Sequence, residues 1–323
     1  MSDLQFEPDA RFALSRDKMD EMPMGPEDSI ILVLTYRCNS RCRFCIIESE
    51  IVAALPDTAR RDVAVVLNHN KKTGQFKRLV LTGAEVTLRP DLAEIARAAT
   101  TTGRFQTVRI QTNARRLRDR DYAAGLVAAG VREYFVSIHA HTAALDRQIT
   151  RSSRSFEEMK AGVGQLQELG ATVIANTVIC RSNVANLPDI ARFILGLGLT
   201  VLNFWSFLEL EGANQTEELI PLAESLPPLL AALDVVKAAG GTATVKWIPR
   251  CLLGRHADCL DNHQPHMFIH DTFQARLNRS FEFRCPHERT CTHFRSGCDG
   301  LHQRYIEVFG DEADRLIPQR GTV

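Results

Sequence analysis

Thr35-Tyr36-Arg37-Cys38-Asn39-Ser40-Arg41-Cys42-Arg43-Phe44-Cys45 packs three of the chain's nine cysteines into eight residues, spaced CxxxCxxC. The apolar run immediately before it, residues 29–34, reads as a strand. Thiolates crowded onto one loop after a strand suit a soft metal centre. Three ligands fill three of the four irons of a cubane and leave the fourth open, where a small molecule can bind and be reduced. A zinc knuckle or a redox dithiol are the plainer alternatives. Zinc usually takes a nearby fourth Cys or His, and none lies between Cys45 and His69.

Working outward, 323 residues allow one large α/β domain with an appendage or two modest domains. Lys plus Arg (39) balance Asp plus Glu (39), so no global field holds a polyanion, and nucleic acid is not expected as the main substrate. The first 28 residues are polar and read as an N-terminal arm, with no apolar core of an export signal. No run reaches the roughly eighteen apolar residues of a membrane span. A cytoplasmic protein with no membrane partner is expected, and its cysteines suit metal ligation better than a disulfide framework.

From Ser29 the chain alternates short β-rich runs with helical periodicity, the pattern of βα units on a parallel sheet. Strands are predicted over 30–34, 78–81, 107–111, 134–138, 172–179 and 201–205. Helices are predicted over 59–70, 92–100, 121–129, 156–169 and 187–197, three of them stopped by Gly130, Gly170 and Gly198. Such sheets carry function on the loops leaving the C-terminal strand ends. The cysteine loop leaves the first strand, and Gly83-Ala84-Glu85 leaves the second, with Pro90 and Asp91 opening the next helix. Gly83 and Ala84 allow a close backbone approach, and Glu85 offers an acceptor for an ammonium group. Polar residues also mark the third, fourth and fifth strands: Thr112 and Asn113, Ser137, His139 and His141, and Asn176. They are unexpected in apolar strands unless they face a cavity, although a satisfied core asparagine is the plain alternative for any one of them.

The CxxxCxxC spacing with Phe44 before the last cysteine resembles the signature of radical S-adenosylmethionine (radical SAM) enzymes. The resemblance covers residues 29–208 and implies a partial (β/α)6 TIM-type barrel with a [4Fe–4S] cluster on Cys38, Cys42 and Cys45. The open iron of that cluster would chelate the methionine end of S-adenosylmethionine. Gly83, Ala84 and Glu85 resemble the family's Gly-Gly-Glu segment for the methionine amino group, with Ala84 in place of the second glycine. Phe44, Thr112, Asn113, Ser137 and Asn176 then belong to the cofactor bed, and Arg181 or Arg151 could pair with its carboxylate. Phe204, Trp205 and Phe207, at the end of the sixth strand, could flank an adenine or the substrate. His139, His141, Glu209 and Glu211 are candidate substrate or proton-transfer groups, each with a plain surface role as its alternative.

A connecting helical segment, 209–242, leads to a strand over 243–248 and then to a cysteine-rich region, 243–323. Cys285-x5-Cys291-x6-Cys298 with Cys251 upstream can wrap a second cluster whose irons are all filled by protein, with Cys259 as the substitute fourth ligand. Zinc stays open because His287 and His293 share the segment. Cys180 reads as a free core thiol. The arrangement resembles the C-terminal auxiliary-cluster regions (twitch or SPASM type) of many radical enzymes, which gives the expected fold class: a partial barrel with a C-terminal cysteine-rich auxiliary-cluster extension.

The resemblance implies reductive cleavage of S-adenosylmethionine to a 5′-deoxyadenosyl radical that takes hydrogen from a substrate, with an external electron donor such as flavodoxin or ferredoxin. A small metabolite of sugar, aminocyclitol or nucleoside type, in specialised natural-product biosynthesis, is one class of substrate. A ribosomally made precursor peptide is another, although maturases of that class often carry an N-terminal leader-binding domain and only about 28 residues precede the first strand here. A non-catalytic metal-structured binding protein is the third reading.

Overall fold

The computed structural model describes residues 29–47, 55–210 and 213–318. Seven parallel strands lie side by side in chain order: β1 (Ser29–Thr35), β2 (Arg78–Gly83), β3 (Thr107–Thr112), β4 (Val131–Ser137), β5 (Thr172–Ile179), β6 (Val201–Ser206) and β7 (Thr242–Lys246). An eighth, β8 (His266–Phe268), pairs parallel with the free edge of β1. The returns run through α1 (Arg60–Thr73), α2 (Leu92–Thr101), α3 (Arg120–Ala128), α4 (Ala143–Thr150), α5 (Ser155–Glu168), α6 (Leu187–Gly196) and α7 (Leu222–Ala238). The expected partial barrel is present. β8 went unread because three residues, His-Met-Phe, are too few to carry a period.

Alternation along the strands sorts the core into two layers. Ile30, Leu32 and Leu34 pack outward with Val63 and Leu67 of α1 in the main cluster, while Ile31 and Val33 face the other way. There they meet Phe273 and Leu277 of a helix absent from the sequence reading, α8 (Asp271–Ser280). The cysteine-rich extension therefore folds back over the concave face of the sheet. It continues through a short antiparallel pair, β9 (Phe283–Arg284) and β10 (Leu301–His302), into α9 (Gln303–Phe309). α9 is tied to the barrel by Arg304, whose Nε donates to Glu209 at 3.0 Å, and by Tyr305, whose hydroxyl accepts from the Leu222 N–H at 2.8 Å.

Asp91 stands at the N-cap of α2, as the sequence suggested, but its side chain bonds no N–H of the helix. Its carboxylate makes a two-pronged pair with Arg89 (2.8 and 3.0 Å) and accepts from Arg60, and the Arg89 guanidinium holds it below the usual carboxylate range. Arg89 in turn donates to the carbonyls of Leu34 and Thr58, which locks the second βα turn onto the first.

Helix α5 rests on the turn after β3, where Ala114 takes a left-handed backbone (φ 61). A Cβ at Gly162 would stand 2.2 Å from the Ala114 carbonyl oxygen, whereas one at Gly164 would meet nothing within 4 Å. Two substitutions two residues apart are thus expected to have opposite signs. Gly164→Ala should stabilise by about 0.5–1 kcal/mol through helix propensity. Gly162→Ala should be net destabilising, because a clash with backbone costs about 1–3 kcal/mol. Urea midpoints of the two variants check this.

Candidate active site

The cysteine loop is pinned from three sides before any ligand is considered. Backbone N–H groups of Arg41 and Arg43 donate to the carbonyls of Thr150 and Ile149 at the end of α4, at 3.1 and 3.0 Å. Arg115, after β3, reaches the Asn39 carbonyl and donates to Ser40 Oγ at 3.0 Å, its own Nε held by Glu158 of α5 at 2.7 Å. From the other side Gln215 Nε2 donates to the carbonyls of Arg43 (2.8 Å) and Cys45 (2.9 Å), and Glu218 accepts from Arg43 Nε at 2.5 Å. Each pin uses backbone or a flanking side chain, so the thiols are left to converge.

Cys38, Cys42 and Cys45 line one cavity of about 320 Å3 with Gly83, Ala84, Thr112, Asn113, Ser137 and Asn176. The ends of β1 to β5 thus contribute to a single site. Phe44 and His139 join them, packed edge to face at 4.7 Å. Burial pushes the Cys38 thiol up to about 11 and those of Cys42 and Cys45 upward as well. The thiolates that a metal needs are therefore favoured only when a cation is there to pair with them. Register explains the polar row: Ser137 pairs with Asn176 and Asn176 with Asn203 across β4, β5 and β6. Asn176 is 5% exposed and its Oδ1 has no hydrogen-bond partner. A buried orphan acceptor beside a thiol triad fits a polar cofactor, because leaving it unmet would cost about 1–3 kcal/mol.

Four expectations are corrected by the geometry. Glu85 is fully buried and does not line the cavity: Oε1 accepts from Thr87 N–H (3.1 Å), Thr87 Oγ1 (2.6 Å) and Thr112 Oγ1 (2.7 Å), and Oε2 from Asn113 N–H (2.7 Å). Its carboxylate is spent tying the second strand end to the third, and Gly83 and Ala84 are what face the cavity. Arg181 lies outside, donating to Glu224 (2.6 Å) and the Leu219 carbonyl (3.0 Å). Glu209 is 3% exposed and accepts from Gln215 N–H, Thr216 Oγ1 and Arg304, so it links the cysteine-loop clamp to α9. His141 is half-buried and does not line the cavity. Glu211 falls outside the described residues.

His139 does line the cavity, yet as a neutral ring. Its Nδ1 accepts from Val178 N–H at 3.1 Å, which leaves the proton on Nε2, and burial lowers its pKa from 6.5 to about 3. The folded state thus resists a proton that the unfolded chain takes up. Stability should be full above pH 6.5 and fall as pH drops toward 3, by at most about 1.4 kcal/mol per pH unit from this group. His139→Asn, which can keep the acceptor for Val178, should flatten that slope in unfolding midpoints measured at pH 7 and 5. An unchanged slope would assign the acid sensitivity elsewhere.

Sequence reasoning missed several cavity residues. Arg115, Asp146, Phe135, Trp247 and Phe281 all line it. Trp247 follows β7, and applying the strand-end rule once more would have found it. Phe281 comes from the end of α8 and had no signal.

A second, smaller cavity gathers Cys251, Cys285, Cys291 and Cys298 with His287 and His293, and Cys259 does not line it. Cys298 Sγ accepts from Arg250 N–H at 3.4 Å. Burial raises the thiols of Cys251 and Cys285, which also feel one another and Cys291 and Cys298. Cys259 is raised by burial and by Asp258 instead. Among the described residues no three His, Cys, Asp or Glu side chains stand close enough to hold a single metal ion. No helix among them is long and apolar enough to cross a membrane.

A partial parallel barrel with a thiol triad and a polar strand-end row around one cavity defines a cofactor-binding barrel protein. The chain matches the Radical SAM superfamily over residues 32–194 and belongs to it. It is similar to GTP 3′,8-cyclase of Aquifex aeolicus (27% identity over 61% of this chain and 65% of that protein). It is also similar to the same-named protein of Mesorhizobium japonicum (29%, over 68% of this chain and 69% of that one). The chain thus spans about two thirds of the length of these curated relatives. Among solved structures it resembles Streptococcus suis SuiB (TM-score 0.57, 13% identity, 74% of this chain and 53% of that chain). It also resembles anSMEcpe with bound AdoMet (TM-score 0.55, 12%, 64% and 60%). At such identities the likeness is one of fold.

Proposed function

We propose that the chain is a radical SAM enzyme that reductively cleaves S-adenosylmethionine and takes hydrogen from a small-molecule substrate. One observation carries the reading: three thiols, the Gly83-Ala84 turn and the unpartnered Asn176 Oδ1 share one cavity. When bound, a [4Fe–4S] cluster on Cys38, Cys42 and Cys45 supplies the electron and the cofactor supplies the radical. The chain's own residues hold the loop through Arg115 and Gln215, present backbone at Gly83 and Ala84, and offer Asn176 as an acceptor. Phe44 and the neutral His139 keep the floor free of mobile charge, and water exclusion there protects the protein from a stray radical.

The four cysteines of the smaller cavity are read as the ligands of a second [4Fe–4S] cluster, with Cys251 rather than Cys259 as the fourth. Four thiolates would fill every iron, which suits electron transfer or ordering of the extension rather than substrate ligation. Electrons would enter from an external donor such as flavodoxin or ferredoxin at the cysteine loop, where Arg41 is exposed and matches an acidic carrier. The test is anaerobic reconstitution with iron and sulfide followed by S-adenosylmethionine and dithionite. 5′-Deoxyadenosine is expected. None in any condition, with the cluster present by absorbance, would overturn the reading.

A further inference from the structure

We propose that the substrate end of the cavity is built for an uncharged planar heteroaromatic group of nucleoside type, stacked against Trp205, Trp247 and Phe281. The proposal rests on the radical SAM reading above and names the substrate class of that site. Four rings from four elements form a continuous wall. Phe135 of β4 lies 5.3 Å from Trp205 of β6, Trp205 lies 5.6 Å from Trp247 after β7, and Trp247 lies 5.9 Å from Phe281 at the end of α8. All four line the cavity. An aromatic wall is often only core, but this one borders open volume and carries an unmet polar group. The Trp205 Nε1–H is buried with no partner, and on the neighbouring strand Asn176 Oδ1 is also unmet. Trp205 and Trp247 are set at 65° to one another, so a flat ring stacked on one presents its edge acceptors to the in-plane N–H of the other.

Trp247 is held in place for this. Its backbone is left-handed (φ 62), a region a bulky side chain rarely adopts, and Asn262 Oδ1 accepts its N–H at 2.9 Å. Lys246 stands behind the pair, its Nζ 5.6 Å from the Trp205 centroid and 6.0 Å from that of Trp247, and it does not line the cavity. Its ammonium donates to Gln264 Oε1 and the His263 carbonyl.

Charge narrows the class further. Among the described lining residues Arg115 is the one fixed cation, and its guanidinium is committed to Glu158 and the cysteine loop. His139 is neutral, and Asp146 adds a carboxyl. Among the described lining residues no free cation is left to neutralise a phosphate chain, which favours a nucleoside over a nucleoside triphosphate.

The chain has two tryptophans, both in this wall, so their emission reports on it directly. Reconstituted protein saturated with S-adenosylmethionine is titrated with guanosine, adenosine, GTP, myo-inositol and the peptide Gly-Phe-Gly. Emission quenching and calorimetry are recorded together. A purine nucleoside is expected to bind and quench, GTP to bind more weakly, and the polyol and peptide not to bind. Trp247→Ala should weaken nucleoside binding about tenfold or more, the scale of a lost stacking partner. Trp205→Phe, which keeps a ring but loses the N–H, should weaken it less, and S-adenosylmethionine affinity should change by less than about twofold in either variant. Binding of GTP above guanosine, binding of the polyol or peptide instead, or an equal loss of S-adenosylmethionine affinity would overturn the proposal. The last result would assign the wall to the cofactor's own adenine. The radical SAM reading fails separately, through absence of 5′-deoxyadenosine.

Discussion

Changing Cys38, Cys42 and Cys45 together to alanine is expected to abolish 5′-deoxyadenosine formation and to lower bound iron from about eight to about four per chain. The fold should survive, because the contacts that pin the loop run through Arg115, Gln215, Glu218 and the carbonyls of Ile149 and Thr150 and use no thiol. Loss of activity in a folded protein therefore reads the metal and not the scaffold. The complementary set, Cys251, Cys285, Cys291 and Cys298 to serine, should remove the other half of the iron. Cys259→Ser should remove none, since Cys259 lies outside the cavity the other four share. Iron analysis and circular dichroism on the three proteins decide the matter. A wild type with about four irons and bound zinc, or a triple variant that keeps all its iron, would sink the two-cluster assignment.

How far this site was legible in the sequence follows from what a sequence encodes locally. Strand ends are local, so Cys38, Cys42, Cys45, Gly83, Asn113, Ser137 and Asn176 could be read one strand at a time, and all seven line the cavity. The destination of a charged side chain is not local. Glu85 looked like a ligand for an ammonium group because nothing near it in sequence announces that Thr112 and Asn113, on the next strand, claim its oxygens. Glu209 looked like an acid or base at the barrel mouth, but one of its partners is Arg304, 95 residues away. The sequence favours Cys251, which follows a strand and Pro249, with Cys259 as the substitute, and of the two only Cys251 lines the cavity of the other three cysteines. The aromatic wall was half legible for the same reason. Trp205 ends a strand that apolar patterning finds, while Phe281 comes from a helix whose return over the concave face depends on Phe273 and Leu277 meeting Ile31 and Val33.

Gly83→Ala is expected to cost about 2–6 kcal/mol, the sum of a backbone clash and a strained φ, out of a total stability of about 5–15 kcal/mol. Gly83 has φ 147, and a Cβ there would stand 2.2 Å from the Thr35 carbonyl oxygen and 3.0 Å from its nitrogen. Thr35 cannot yield cheaply. It pairs with Gly83 where the β1–β2 register shifts, its carbonyl accepts from Ala84 N–H at 2.9 Å, and its Oγ1 donates to Asp57 at 2.6 Å. Moving it drags Tyr36 and Arg37, hence Cys38, and loosens the Glu85 N–H bond to the Arg37 carbonyl at 3.0 Å. The glycine is thus required first by a close approach of two strands, and only through that by the ligand. Ala84 is the control: its φ is negative, and Ala84→Gly should cost only about 0.5–1 kcal/mol of chain entropy. Guanidinium midpoints and calorimetric binding of S-adenosylmethionine should fall together in Gly83→Ala and stay near wild type in Ala84→Gly. If Gly83→Ala proved as stable as the wild type, the close approach of Thr35 to Gly83 would not be what fixes the cavity floor.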